Sequence, residues 1–210
     1  TPMNAVLGLA EILQTTELDE FQREQLARLD RAGRLLMGIL SDVLDFSRIE
    51  AGELELSDDP FDLGDVVRDV VGVVTQNAAD RGIALLTDVA DDVPRRLVGD
   101  PVRLGQVLLN LLANAIKFTA RGSVELRITV VPGTPSSSEP PAAEVRWLRA
   151  EVRDTGRGIA AADLERIFEP FQQVHRPSFQ PNRSGSGLGL PISRHVARRM
   201  GGDLTATSRL

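Results

Sequence analysis

The chain has 210 residues, 26% of them charged, and a net charge of −6. These are the proportions of an ordinary soluble globular chain of one good-sized domain, or a small one with an appendage, with no broad attraction to nucleic acid or anionic lipid. The lack of cysteine excludes disulfide frameworks and zinc–thiolate sites; with no apolar run near about 18 residues and no signal-peptide pattern, the segment reads as cytosolic.

The first sixty residues stand apart. Val6, Leu9, Ala10 and Leu13 form a short amphipathic stripe, and "QTTELDE" (14–20) reads as a turn carrying helix-start residues. Leu26, Leu29, Gly33, Leu36, Leu40 and Val43 then follow the alternating three- and four-residue spacing of a coiled-coil seam. Two helices joined this way make an antiparallel hairpin with an exposed apolar face. A second copy of the hairpin, completing a four-helix bundle, is its natural cover.

Beyond residue 52 the pattern changes. Alternation at 53–56 predicts a short strand, and "DDPFDLGD" leads into a helix over roughly 65–80. Residues 83–89 and 95–99 read as strands. Asp100-Pro101 opens a further helix, as an N-cap followed by proline at the first helical position. The alternations at 123–131 and 143–154 predict two longer strands forming a hairpin, separated by a Pro/Ser-rich loop at 132–143 that is expected to be flexible. Helices near 161–168 and 188–200 and a last strand at 203–208 complete an α+β sandwich, with helices on one face of a mixed sheet.

The helix "DPVRLGQVLLNLLANAIKFT" (100–119) carries the most chemical information. At about 100° per residue, Arg103, Asn110, Asn114 and Lys117 share one narrow stripe, opposite a wide face of Leu104, Leu108, Leu109, Leu111, Leu112, Ala115 and Ile116. Asparagine is a poor helix former, and two on one face suggest a use beyond solvation. A carboxamide oxygen is a hard neutral ligand, suited to Mg²⁺ that already bears phosphate and water. Lys117 is the only lysine among 24 basic residues. In so arginine-rich a chain, a lysine is a candidate for the point-charge role that a planar guanidinium fills poorly.

Two glycine segments follow. "DTGRGI" (154–159) closes a strand, and can be a plain turn or a carboxylate held by a glycine turn, able to accept the exocyclic amine of adenine. "GSGLGL" (185–190) opens a helix whose bare N–H groups and dipole favour anionic phosphate. It fits neither the GxxxxGK[ST] phosphate loop nor the dinucleotide fingerprint.

Taken in order, the motifs resemble those of the sensor histidine kinases of two-component signalling, whose ATPase fold of the Bergerat type is shared with gyrase-like and Hsp90-like proteins. "TPMNAVLG" (1–8) resembles the tail of the family's H box, residues 100–119 its N box, "DTGRGI" its first glycine box, "FEPF" (168–171) its F box and "GSGLGL" its second glycine box. The resemblance runs over essentially the whole chain. It implies a dimerisation and phosphotransfer hairpin over 1–52, followed by a catalytic ATP-binding α/β sandwich over 53–210.

By position, the resemblance assigns Mg²⁺ coordination to Asn114, with Asn110 beside it, phosphate contact to Lys117 and the adenine amine to Asp154. Gly156, Gly158 and Ile159 would shape the base pocket. Phe168 and Phe171 would anchor a lid over about 172–186, hinged at Gly185, Gly187 and Gly189, with the Gly187 and Leu188 N–H groups facing the triphosphate and Ser186 keeping a hydroxyl usual at its place; such lids gate catalysis. Thr1 matches the position that places water for phosphatase activity, and the phosphoacceptor histidine is expected just upstream of it. Neither His175 nor His195 lies in an H-box context.

ATP and Mg²⁺ are thus the expected ligands, and a second copy and a response-regulator receiver domain the expected partners. No nucleic acid or membrane contact is expected of this segment, which reads as a cytoplasmic part of a bacterial protein with any membrane anchor outside it. Two rivals remain. A hydrolytic gyrase- or Hsp90-type ATPase would carry a glutamate where Asn110 stands, because an amide cannot act as general base. A nucleotide-binding scaffold without transferase activity would lack the acceptor histidine.

Overall fold

The computed structural model describes residues 2–131, 147–172 and 186–209. They fall into two units, Thr1–Leu54 with Glu169–Ile192, and Glu55–Phe168 with Ser193–Leu210.

In the first unit, α1 (Pro2–Gln14) and α2 (Glu20–Glu50) form the expected hairpin. The Thr15 and Thr16 hydroxyls donate to the carbonyls of Ile12 and Leu13, closing α1. A capping box then starts α2. The Gln22 N–H donates to Asp19 Oδ1 at 2.7 Å, and the Asp19 N–H to Gln22 Oε1 at 3.0 Å. Gly33 is buried against α1, where a Cβ would stand 2.7 Å from Leu7 Cδ2. The rest of the seam finds little cover: Leu36 and Leu40 are 53% and 51% exposed.

The second unit is a helix layer on a sheet. Within it α3 (Leu63–Asp80) and α4 (Pro101–Phe118) pack together and against a sheet of order β2 (Ile83–Val89), β4 (Gly122–Val131), β5 (Trp147–Asp154). The β2–β4 pair is parallel and β4–β5 antiparallel, so the sheet is mixed as expected. β1 (Asp59–Asp62) and β3 (Arg96–Gly99) form a separate antiparallel pair. Leu63, Val67, Val70, Val74 and Ala78 of α3 recur at helical spacing. They meet Leu108, Leu112, Ala115 and Ile116 of α4 and the inward alternation Val124, Leu126, Ile128 of β4. Each buried valine, leucine or isoleucine among them contributes about 1.5–3 kcal/mol.

Three expectations are corrected. Residues 53–56 are not a strand: Leu54 is buried and Glu55 exposed, but the alternation has no neighbouring strand to pair with among the described residues. The segment at 161–168 is two 3₁₀ turns, Ala161–Asp163 and Arg166–Phe168, too short to propagate an α-helix. Residues 203–208 form no ladder among the described residues; the Ser208 hydroxyl instead accepts the Ile159 N–H at 2.8 Å. The loop at 132–143 lies outside the described residues.

Candidate nucleotide site

Asp100 starts the helix that carries the site. Its side chain accepts the Arg103 N–H at 2.9 Å and the Ser57 N–H at 3.2 Å, and Pro101 takes the first helical position. The wide apolar face of α4 then fixes its rotation, since Leu108, Leu112 and Ile116 are all but sealed from solvent. The opposite stripe holds Asn110, Asn114 and Lys117, each half-buried.

One turn apart, the two carboxamides are joined. Asn114 Nδ2 donates to Asn110 Oδ1 at 3.1 Å, and Asn110 Nδ2 donates onward to the buried Ser193 hydroxyl at 2.9 Å. Among the described residues nothing donates to Asn114 Oδ1. That free oxygen fits a hard cation sharing its shell with phosphate and water. No group of three or more His, Cys, Asp or Glu that could hold a metal occurs among the described residues. The metal reading therefore rests on the carboxamide and on no acidic cluster.

Lys117, in the last turn of α4, holds its ammonium 5.2 Å from the centroid of the Phe118 ring, and the Arg157 guanidinium lies at the same distance from that ring. The first glycine segment is pinned to this end of the helix. A Cβ on Gly156 would stand 2.7 Å from the Phe118 carbonyl oxygen and 2.7 Å from Asp154 Oδ1. Only glycine allows that approach. Asp154 Oδ1 accepts the Gly156 N–H at 2.8 Å, which leaves Oδ2 without a donor among the described residues and the side chain exposed. Gly158 takes a positive φ of 70°, and Ile159 follows it into the bond with Ser208. Beside them, the fully buried Thr119 hydroxyl has no hydrogen-bond partner among the described residues.

Phe168 ends the second 3₁₀ turn with the Arg194 guanidinium 4.5 Å from its ring centroid. Arg194 also bridges Glu165 at 3.2 Å and Asp203 at 3.3 Å. Asp203 is held down at about 2, chiefly by the Arg198 guanidinium. Burial, helped by Arg199 and Arg198, lowers the pKa of His195, which suits a neutral packing role.

In the first unit, the Phe171 N–H donates to the Gly187 carbonyl at 3.1 Å. Gly187 has a φ of 73°, and a Cβ there would stand 3.0 Å from the Phe171 backbone. Phe171 itself adopts a φ of 62°, unusual for a bulky side chain, and meets Phe46 edge-on at 5.8 Å between centroids. The Ser186 hydroxyl donates to Asp42 at 2.6 Å and accepts the Leu188 N–H at 3.1 Å. That N–H, expected to face phosphate, is thus engaged within its own turn. Gly189 begins α5 (Gly189–Arg199), and Pro191 sits in its first turn, where no backbone donor is lost.

Thr1, His175, Gly185 and all of the expected lid over about 172–186 but Gln172 and Ser186 lie outside the described residues. A separate cavity of about 410 Å³ lies between the start of α3, β2 and residues 93–95; none of the expected site residues lines it. Sequence reasoning missed Ser193. Its one local signal is a hydroxyl directly beside the apolar stripe Leu188, Ile192, Val196 of α5.

The family model described as Histidine kinase-, DNA gyrase B-, and HSP90-like ATPase matches residues 99–210, and that of the His Kinase A (phospho-acceptor) domain matches residues 1–52. The chain belongs to the sensor histidine kinases of two-component systems.

Among histidine kinases, it is 37% identical over 209 residues to signal transduction histidine-protein kinase BarA of Escherichia coli (strain K12), covering 100% of this chain and 22% of that protein. Sensor protein TorS of the same strain is 40% identical over 210 residues, covering 99% and 21%. The chain thus spans about a fifth of the length of these relatives. The crystal structure of full-length ShkA in complex with AMPPNP matches with a TM-score of 0.72 at 33% identity, over 99% of this chain and 41% of that one. Histidine kinase AdeS of Acinetobacter baumannii, at 23% identity and a TM-score of 0.59 over 94% of this chain and 84% of that one, supports the fold alone. No described helix is long and apolar enough to cross a membrane.

Proposed function

We propose that this segment is the kinase core of a two-component sensor. It would bind ATP with Mg²⁺ and transfer the γ-phosphoryl to a histidine just upstream of Thr1, from which a response-regulator aspartate receives it. Residues 1–52 would dimerise and present that histidine; residues 53–210 would hold the nucleotide.

The observation that carries the reading is the Asn110–Asn114 pair, with its one free carboxamide oxygen. Bound Mg²⁺ would supply charge neutralisation to the phosphates, and Asn114 Oδ1 is the atom suited to hold it. Lys117 would add a point charge at the same phosphates. Asp154 Oδ2 would accept the adenine amine, with Gly156, Gly158 and Ile159 shaping the wall behind it. Phe168 and Phe171 would anchor the lid, Gly185, Gly187 and Gly189 would hinge it beside the Ser186 hydroxyl, and the Gly187 and Leu188 N–H groups would face the triphosphate. Thr1 would place water for phosphatase action on the regulator. Asn110 cannot take a proton from water, so the γ-phosphoryl is protected from hydrolysis and kept for histidine.

The uncovered seam of α2 supports dimerisation through the hairpin, since a stripe of exposed leucines at heptad spacing calls for a partner. The test is phosphotransfer from labelled ATP in the protein carrying its upstream residues. Acid-labile, base-stable label on the chain is the expected result. Rapid release of free phosphate with no labelled chain would favour the hydrolytic ATPase. Asp154→Asn should weaken ATP binding by at least about tenfold, as loss of a charge-assisted hydrogen bond implies; unchanged affinity in a titration would remove the adenine assignment.

A further inference from the structure

The carboxamide pair extends to a third residue that no motif contains. Ser193 is 83 positions beyond Asn110, on α5, and only 2% exposed. Its Oγ accepts from Asn110 Nδ2 at 2.9 Å, and Asn110 Oδ1 accepts from Asn114 Nδ2 at 3.1 Å. We propose that Ser193 is a positioning residue for the metal ligand: it anchors the Asn110 carboxamide, which in turn holds that of Asn114 in place on the stripe. The proposal rests on the assignment of Mg²⁺ to Asn114.

A carboxamide has two ends of nearly equal size and opposite hydrogen-bonding sense, and its terminal torsion is broad and roughly two-fold. Sterics alone do not choose between them on α4. The choice matters because a cation is drawn to the oxygen and repelled by the amino end. In the relay seen here the Ser193 hydroxyl engages the amino group of Asn110. The Asn110 oxygen then turns toward Asn114 and takes that residue's amino group, so Asn114 Oδ1 is the atom left over.

Without the hydroxyl, Asn110 loses its only partner outside α4 among the described residues. Held only to each other, the two carboxamides then sample other torsions, and Asn114 Oδ1 faces the cation for a smaller share of the time. Ser193 lies on another element and is buried beneath the stripe, so it orders the ligand without touching metal or nucleotide. Partners of this kind typically influence metal affinity by 10–100-fold.

The test is a titration of nucleotide binding in the full chain, run across Mg²⁺ concentrations and again with chelator. Ser193→Ala should raise the Mg²⁺ concentration needed for half-maximal enhancement of ATP affinity by about tenfold, while the affinity measured in chelator stays unchanged. Ser193→Thr, which keeps the hydroxyl, should restore the Mg²⁺ response. A Ser193→Ala midpoint within twofold of the parent overturns the proposal. So does an equal loss of affinity with and without Mg²⁺, which would mark a packing role. Asn114→Ala separates this failure from that of the metal assignment, because it should abolish the Mg²⁺ enhancement whatever Ser193 does. If Asn114→Ala keeps the enhancement, the assignment of Mg²⁺ falls, and the role of Ser193 with it.

Discussion

The two informative helices, α2 and α4, use leucine in opposite ways. α4, 18 residues long, turns Leu108, Leu112 and Ile116 into a finished core and leaves one polar stripe for chemistry. α2, 31 residues long, buries only Gly33 and Asp45 and keeps Leu29, Leu36, Leu40 and Val43 at least two-fifths exposed. The same amphipathic arithmetic therefore has two outcomes. Where the chain supplies its own cover, the apolar face fixes the rotation of the helix; where it does not, the face stays exposed, as the proposed dimerisation requires.

Substitutions at the two faces should separate these roles. Leu112→Ala, at a fully buried position, should cost about 2–5 kcal/mol in chemical denaturation of the second unit. Leu36→Ala combined with Leu40→Ala should leave that unfolding step in place and instead weaken self-association by tenfold or more, on the order expected from uncovering two leucines. Sedimentation across a dilution series would read the second effect. The comparison breaks if the α2 pair lowers the stability of the second unit as much as Leu112→Ala does.

Gly156→Ala should come next in size. It needs room that the Phe118 carbonyl and Asp154 Oδ1 occupy, so ATP affinity should fall while the helical hairpin keeps its circular dichroism. Asp19→Ala removes the capping box of α2 and should cost about 1 kcal/mol in thermal unfolding of the first unit alone. The smallest effect concerns pH. Asp203 is held at about 2, below the ordinary value of 3.8, by Arg198 and Arg194. Its contribution is complete above the unfolded value and fades as pH falls from about 4 towards 2. Melting curves of the parent and Asp203→Asn should therefore differ at pH 5 and converge near pH 2.

Much of this was legible because it is local. The helix-start residues at 14–20, the Asp100-Pro101 start and the shared stripe of Asn110 and Asn114 each depend on near neighbours in the chain, and the resemblance rests on the order of such segments. What depends on distant partners was not legible. Residues 53–56 alternate as a strand does, but an alternation becomes a strand only beside another edge, and none lies there among the described residues. The segment at 161–168 has helical periodicity for too few residues to repay nucleation. Ser193 could not be joined to Asn110 from spacing, since only the fold of the second unit brings them within hydrogen-bond distance.

Gly156 lets the bare end of α4 and the turn after β5 touch without a side chain between them. A single added methyl would act on two neighbourhoods at once, the carbonyl that closes α4 and the carboxylate proposed to meet the base. It would do so without altering one charge or removing one hydrogen-bonding group. That makes the position a switch for the experimenter, a way to disable nucleotide capture while the electrostatic landscape of the surface stays as it was.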